Sequence, residues 1–367
     1  MIPVFDYLRG YQQIQGEVEA ALRRVIASGQ LILGPEGEAF EREFAAYAGA
    51  RQAVAVASGT DAIVIALRAL GIGRGDEVIT VSHTAAATVG AVREVGAVPR
   101  LVDVDRDSLL IDPDQIEAHI GPRTRAILPV HLYGRPAAID AIGAIAARHG
   151  LAVVEDCAQA HGARVAGRHV GTFGAIGCFS FYPTKNLGAL GDGGLCVTDD
   201  SQLAERMRQL RFHGFDARRV SQLEGRNSRL DEIQAAILRV KLRHLETGLS
   251  ARRRIAGEYL QGLSDARLSL PECEPDTNHA WHLFVVRTRQ RARLIEHLTR
   301  SQIGYGIHYP VPIHLMPAYS HLGYARGSLP VTEYAAEEIL SLPMFPELAA
   351  DEVRAVCRAV LDALRDE

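Results

Sequence analysis

AVAVASGTDAIVIALRALG, residues 53 to 71, decides the fold class. Its first five residues are small or β-branched and apolar without interruption, which reads as a strand buried on both faces. Ser58, Gly59 and Thr60 break the run, and from there the apolar spacing becomes helical. A buried strand feeding a turn and a helix is the first half of a β-α-β unit.

The same alternation continues down the chain. EVITV (77–81) reads as the next strand and TAAATVGAVREVG (84–96) as the next helix. RAILPV (125–130) and LAVVE (151–155) are further strands, separated by the helical AAIDAIGAIAARHG (137–150). AIGCFSF (175–181) and GGLCVT (193–198) are two more. Strands joined by helical crossovers of this length predict an α/β fold whose mostly parallel sheet is covered on both faces. After residue 198 helices dominate, with SQLAERMRQLRFHG (201–214) and RLDEIQAAILRVKLRHLE (229–246). The tail mixes helices with a few strands, such as WHLFVVRT (281–288), and reads as a smaller α/β domain. The expected division is a large domain over 1–245 and a small one over 246–367, without a Pro- or Gly-rich linker between them.

Composition narrows the class of function. The chain has 367 residues, 47% apolar and 23% charged, with a net charge of −4. That balance argues against a broad nucleic-acid face. The arginine cluster ARRRIAGEY (251–259) reads as a solvated helix face. No apolar run reaches the roughly 18–20 residues of a membrane span. The opening MIPVFDYLRG has neither a basic n-region nor a long apolar h-region, so the expectation is a cytoplasmic protein without a secretory leader. Cys157, Cys178, Cys196, Cys273 and Cys357 form no CxxC pair, which predicts buried free thiols and no metal site.

Three segments carry chemistry. Ser58-Gly59-Thr60 place hydroxyls and a close-approaching backbone at a helix N-terminus, which is an anion site as well as an ordinary N-cap. LAVVEDCAQAHG delivers Asp156 at the carboxyl end of a buried strand, where open α/β sheets bind ligands, with Gln159 three residues on. FYPTKNLGALGDGG (181–194) holds a lone lysine, Lys185, on a stretch rich in Gly and Ala, five residues after Ser180. A phosphate cradle, a carboxylate and an amine suit one ligand: a phosphorylated ring with a basic nitrogen and an aldehyde. Pyridoxal 5′-phosphate is that ligand, since its aldehyde condenses with lysine and an acid partners its ring nitrogen.

The chain also resembles the DegT/DnrJ/EryC1/StrS family of sugar aminotransferases, which have the aspartate aminotransferase fold (type I). The resemblance runs through IPVFDYLRGYQQI, ASGQLILGPEGEAFEREFAAYAGA and VASGTDAIVIALRALGIGRGDEVI. It continues through EDCAQAHGA, FSFYPTKNLGALGDGG, NSRLDEIQAAIL and GIHYPVPIHLMPAY, nearly the whole chain. It implies that Lys185 holds the cofactor, that Asp156 partners the ring nitrogen and that Gln159 lies beside the ring. It also implies a phosphate cradle of Gly59, Thr60 and Ser180, completed by Asn227 from the neighbouring subunit of a homodimer. Read alone, Asn227 is an N-cap for the helix that follows. The text of TKNLGALGDGG, DCAQAHGA and GIHYPVPIHLMPAY is similar to members that aminate C-3 of nucleotide-linked keto sugars, with glutamate as donor. His308, Tyr309 and His314 would then line the sugar side. A dTDP-linked 3-keto-6-deoxyhexose is the expected acceptor; a UDP-linked 3-keto uronic acid, a 4-keto sugar and a non-catalytic cofactor-binding regulator are the competing readings. One position departs from the family: most relatives carry an aromatic residue two places after the His of VSHTAAATVGAV, and here that place is Ala85, which leaves His83 as the alternative stacking group.

Overall fold

The computed structural model describes residues 1–264, 267–272 and 276–365. Seven strands form the central sheet: β1 (Gln52–Val56), β2 (Glu77–Val81), β3 (Val98–Val102), β4 (Thr124–Ile127), β5 (Ala152–Asp156), β8 (Ile176–Ser180) and β9 (Gly194–Thr198). Two short strands, β6 (Arg164–Val165) and β7 (Arg168–His169), lie between β5 and β8 in the chain. The spatial order is β1-β9-β8-β5-β4-β2-β3. β5 pairs in parallel with β8 and β4, and β2 in parallel with β4 and β3. β9 alone is reversed, antiparallel to both β8 and β1, so the other six strands end at one edge.

Helices cover both faces because the strands are apolar on both faces. α1 (Tyr7–Ser28), α2 (Pro35–Ala48), α3 (Gly59–Ala69), α4 (Ala86–Glu94), α5 (Pro113–Ile116), α6 (Ile139–His149), α7 (Ser201–Leu210) and α8 (Glu232–Gly262) belong to this body. Val54 and Val56 of β1 pack with α3, α4 and α7, whereas Ala53 and Ala55 of the same strand pack towards α2 and α8. α3 is apolar nearly all round and almost wholly buried, as a helix pressed between a sheet and two other helices must be.

A second core lies beyond the sheet. β11 (Phe284–Arg287) and β12 (Ile339–Leu342) pair antiparallel, with α9 (Arg291–Arg300), α10 (Pro330–Glu338) and α11 (Ala350–Leu364) around them. β10 (Thr277–Asn278) joins β6 and β7 in a separate three-stranded sheet. α8 runs unbroken through residues 245 and 246 and serves both cores: Ala235 and Leu238 pack beneath the large sheet, Ile255, Ala256 and Tyr259 with β11, β12 and α11.

Several local expectations change. VPRLV (98–102) forms β3, a strand that its proline and arginine disguise; it takes the sheet edge, where proline is tolerated. The arginine cluster at 251–259 is not wholly solvated: Arg252 is 2% exposed, and its Nη1 donates to the carbonyls of Trp281, His282 and Met344. Cys157, Cys178, Cys196 and Cys357 are free and buried, while Cys273 lies outside the described residues. No helix among the described residues is long and apolar enough to cross a membrane.

Candidate active site

Because six strands end together, the residues that follow them gather at one edge of the sheet. Ser58 and Gly59 follow β1, His83 follows β2, and Asp156 and Ser180 are the last residues of β5 and β8. Register locks these ends level: Asp156 lies opposite Cys178, while Gly194 of β9 faces Ser180 on one side and Val56 on the other. Ser58 caps α3, its Oγ accepting from the Asp61 N–H at 3.1 Å. The N–H groups of Gly59 and Thr60, at the head of that helix, have no intrahelical acceptor and point out of it. A Cβ on Gly59 would stand 2.5 Å from Ser180 Cβ, so glycine is what lets the helix end approach β8. Two free N–H groups, the helix dipole and the Ser180 hydroxyl together form an anion cradle.

Asp156 is 4% exposed. Its Oδ2 accepts from Thr88 Oγ1 at 2.8 Å and its Oδ1 from the Ala158 N–H at 3.1 Å. Burial raises its pKa, against the pull of those donors and of the Lys185 and His131 charges. Lys185 sits on the turn between β8 and β9, and no described residue accepts a hydrogen bond from its amine. Desolvation lowers that amine to about 8, and the Asp156 charge opposes the drop. The turn is pinned on both sides of the amine. Asn186 Nδ2 donates to the Ala280 carbonyl at 2.8 Å, and the half-buried Lys241 amine donates to the Gly188 carbonyl at 2.5 Å. A cleft of about 360 Å³ opens beside Lys185, between the start of α1, the middle of α8 and Pro346–Glu347.

Gln159 joins this floor to the second core. Its Oε1 accepts from the Tyr133 N–H at 2.7 Å and its Nε2 donates to Tyr309 Oη at 3.2 Å. The Tyr133 hydroxyl donates to the His308 carbonyl and lies 2.7 Å from His83 Nε2. His308 Nδ1 is 2.8 Å from Ser341 Oγ on β12. Burial holds His308 below its ordinary pKa, drives His83 down to about 4 and raises Tyr309 to about 12, so all three are neutral near pH 7. Ala85 is the N-cap of α4 and presents only a methyl group, whereas His83 is 2% exposed and meets Tyr133 edge to face at 6.0 Å.

Two expected residues stand elsewhere. His314 is enclosed, with Nδ1 2.7 Å from Ser82 Oγ and Nε2 3.1 Å from Glu333 Oε1. Both ring nitrogens are occupied inside the protein, so we withdraw it from the sugar side. Asn227 is exposed and bridges Phe212 through its backbone; α8 begins five residues later with Asp231 as N-cap, so Asn227 does not cap it. Thr88 and Tyr133 are additions. Two hydroxyls, Thr84 and Thr88, stand in the otherwise apolar TAAATVGAV and were the signal for Thr88; nothing local marked Tyr133. His131, Glu155 and Cys157 cluster as metal ligands would, yet Glu155 already accepts from the N–H groups of Gly171, Phe173 and Gly174 and from His131. That carboxylate is a structural brace.

A mostly parallel seven-stranded sheet with an amine, a carboxylate and an anion cradle at its carboxyl edge is the arrangement of an aspartate aminotransferase-like enzyme. The chain belongs to the DegT/DnrJ/EryC1/StrS aminotransferase family, whose model matches residues 12–361. It is 52% identical over 362 residues to the erythromycin biosynthesis sensory transduction protein EryC1 of Saccharopolyspora erythraea, covering 98% of this chain and 99% of that one. It is 49% identical over 366 residues to the dTDP-3-amino-3,4,6-trideoxy-alpha-D-glucose transaminase of Streptomyces venezuelae, covering 100% of this chain and 96% of that one. The crystal structure of S. venezuelae DesV in complex with a ketimine intermediate superposes with a TM-score of 0.98 at 49% identity, over 100% of this chain and 99% of that one.

Proposed function

We propose that this protein is a pyridoxal 5′-phosphate-dependent aminotransferase that moves an amino group from L-glutamate to C-3 of a nucleotide-linked keto sugar. A dTDP-linked 3-keto-6-deoxyhexose is the acceptor we favour. The observation that carries the reading is the meeting of Lys185, Asp156 and the Gly59–Thr60 helix end at one edge of the sheet. The residues fit the cofactor. The unbonded N–H groups of Gly59 and Thr60 and the Ser180 hydroxyl suit a phosphate. Asp156, buried and held by Thr88 and Ala158, suits a protonated ring nitrogen. Lys185 offers an amine that burial keeps partly unprotonated near neutral pH.

Bound there, the cofactor supplies an aldehyde that condenses with amines and a ring that accepts an electron pair. The protein's part is positioning and proton handling. Asp156 would favour a positive charge on the ring nitrogen, and within each half-reaction Lys185 Nζ would move the proton between the substrate carbon that bears the nitrogen and the aldehyde-derived carbon of the cofactor. Gln159 sits beside the ring, while His308 and Tyr309 face the sugar as neutral hydrogen-bonding groups. A homodimer in the cytoplasm, with Asn227 reaching the partner's phosphate site, completes the reading; the exposure of Asn227 supports a role outside its own chain.

The test is a screen of nucleotide-linked 3-keto and 4-keto sugars with glutamate, read by mass spectrometry. Nitrogen at C-3 of a dTDP-linked sugar is expected, and nitrogen at C-4 overturns the regiochemistry. His308→Ala is expected to slow the sugar half-reaction about tenfold, one lost hydrogen bond's worth, and to spare the glutamate half-reaction. Equal loss in both halves removes His308 from the sugar side. A yellow protein that glutamate does not bleach is a binding protein rather than a transaminase.

A further inference from the structure

Tyr133 is buried, holds a left-handed backbone at φ 63°, and touches three residues that border the site. Its N–H donates to Gln159 Oε1, its hydroxyl donates to the His308 carbonyl, and that same oxygen lies 2.7 Å from His83 Nε2. Gln159 in turn donates to Tyr309 Oη. The loop after β4 is therefore tied at once to the loops after β2 and β5 and to the 308–309 segment, which is anchored on β12 through Ser341.

Proton count decides the direction of the hydroxyl bonds. A carbonyl oxygen only accepts, so the single proton of Tyr133 goes to His308. His83 Nε2 must then be the donor to Tyr133 Oη, which makes His83 the Nε2–H tautomer and leaves Nδ1 as an acceptor. We propose that Tyr133 is a positioning residue: its hydroxyl fixes the tautomer of His83 on the floor of the site and seats the His308–Tyr309 segment opposite it, so that the acceptor side is set independently of the donor side. This rests on the aminotransferase reading above. The backbone geometry agrees with it. A non-glycine residue in the left-handed region persists only where its surroundings over-determine it, and here three hydrogen bonds do so.

Tyr133→Phe isolates the hydroxyl, because it retains the ring and the N–H bond to Gln159. The expected result has three parts. The affinity of a dTDP-sugar for the cofactor-loaded enzyme, measured by calorimetry, falls about tenfold, the counterpart of one neutral hydrogen bond. The glutamate half-reaction stays within about twofold. The side-chain nitrogen NMR signals of His83, assigned by difference with His83→Gln, pass from one Nε2–H tautomer to a mixture of both. An unchanged tautomer with unchanged affinity overturns the proposal. So does an equal fall in both half-reactions, which would make Tyr133 a support for the floor as a whole. If the wild-type protein itself fails to react with glutamate, it is the aminotransferase reading that falls; the His83 signals and the affinity still judge Tyr133.

Discussion

At the residue scale the site turns on two opposed charges in a poorly hydrated place. Burial lowers the Lys185 amine and raises the Asp156 carboxyl, while each favours the charged form of the other. The amine is therefore poised between pairing with Asp156 and acting as a nucleophile. The sign follows. With Lys185 near 8, trapping of pyridoxal phosphate on Lys185 by borohydride rises with pH and reaches half its maximum near pH 8. Asp156→Asn removes the charge that holds the amine up, so the half-maximum moves to lower pH, and turnover falls on the order of 10²–10⁴ because the ring nitrogen loses its partner. Mass spectrometry of the trapped adduct against pH reads the first effect. A half-maximum that stays in place or rises in the variant contradicts this account of the pair.

At the element scale the cradle depends on how near the head of α3 comes to β8. Gly59 permits the contact: an added Cβ would meet Ser180 Cβ at 2.5 Å and Ser180 Cα at 3.1 Å. Gly194 does the same from β9, where a Cβ would stand 2.1 Å from the Ser58 carbonyl oxygen. Neither glycine needs a left-handed backbone, so both are there for space. Gly59→Ala must push the helix off the strand, and repacking of this kind costs about 1–3 kcal/mol. Retention of the cofactor should weaken by tenfold or more, measured by spectrophotometric titration of the apoprotein, with a smaller effect on the thermal midpoint. Full cofactor affinity in Gly59→Ala would mean that the phosphate sits elsewhere.

At the scale of the whole molecule, a complete site is expected to need two chains. Asn227 is exposed and lies between Arg226, which pairs with Asp61 at 3.0 Å, and Ser228, whose Oγ accepts from the Ala57 N–H at 3.1 Å. Mixing Asn227→Ala with Lys185→Ala subunits should restore part of the activity, since one of the two sites in a mixed dimer then carries neither substitution. Activity assays on affinity-purified heterodimers decide the matter. Inactive heterodimers built from two folded, dimeric variants would place Asn227 outside the partner's site.

The alternation of buried strands and helices was legible because it is local: period and apolarity state where a strand ends, and in a parallel sheet those ends are where ligands bind. Lys185, Asp156, Gly59 and Ser180 could be found this way, and the structure brings them to one edge. The rest depended on residues distant in the chain. VPRLV hid as a strand because its polar positions belong to a sheet edge, and α8 could not be followed past 246 because its two halves answer to two different cores. Glu232 accepts from the N–H groups of Gly34, Glu36 and Gly37 nearly two hundred residues away, capping a helix that has no side-chain cap of its own. His314 looked like Tyr309 in the sequence, a polar ring in a Pro-stiffened loop; only the packing of Ser82 and Glu333 against it took up both ring nitrogens. Tyr133 had no signal at all. By itself the sequence determined the fold class and singled out a lysine and a carboxylate for one sheet edge, because backbone periodicity and side-chain chemistry are written residue by residue. The tertiary structure alone decided which polar side chains remain free for a ligand, because a hydrogen bond is satisfied by whatever partner the fold brings within 3 Å.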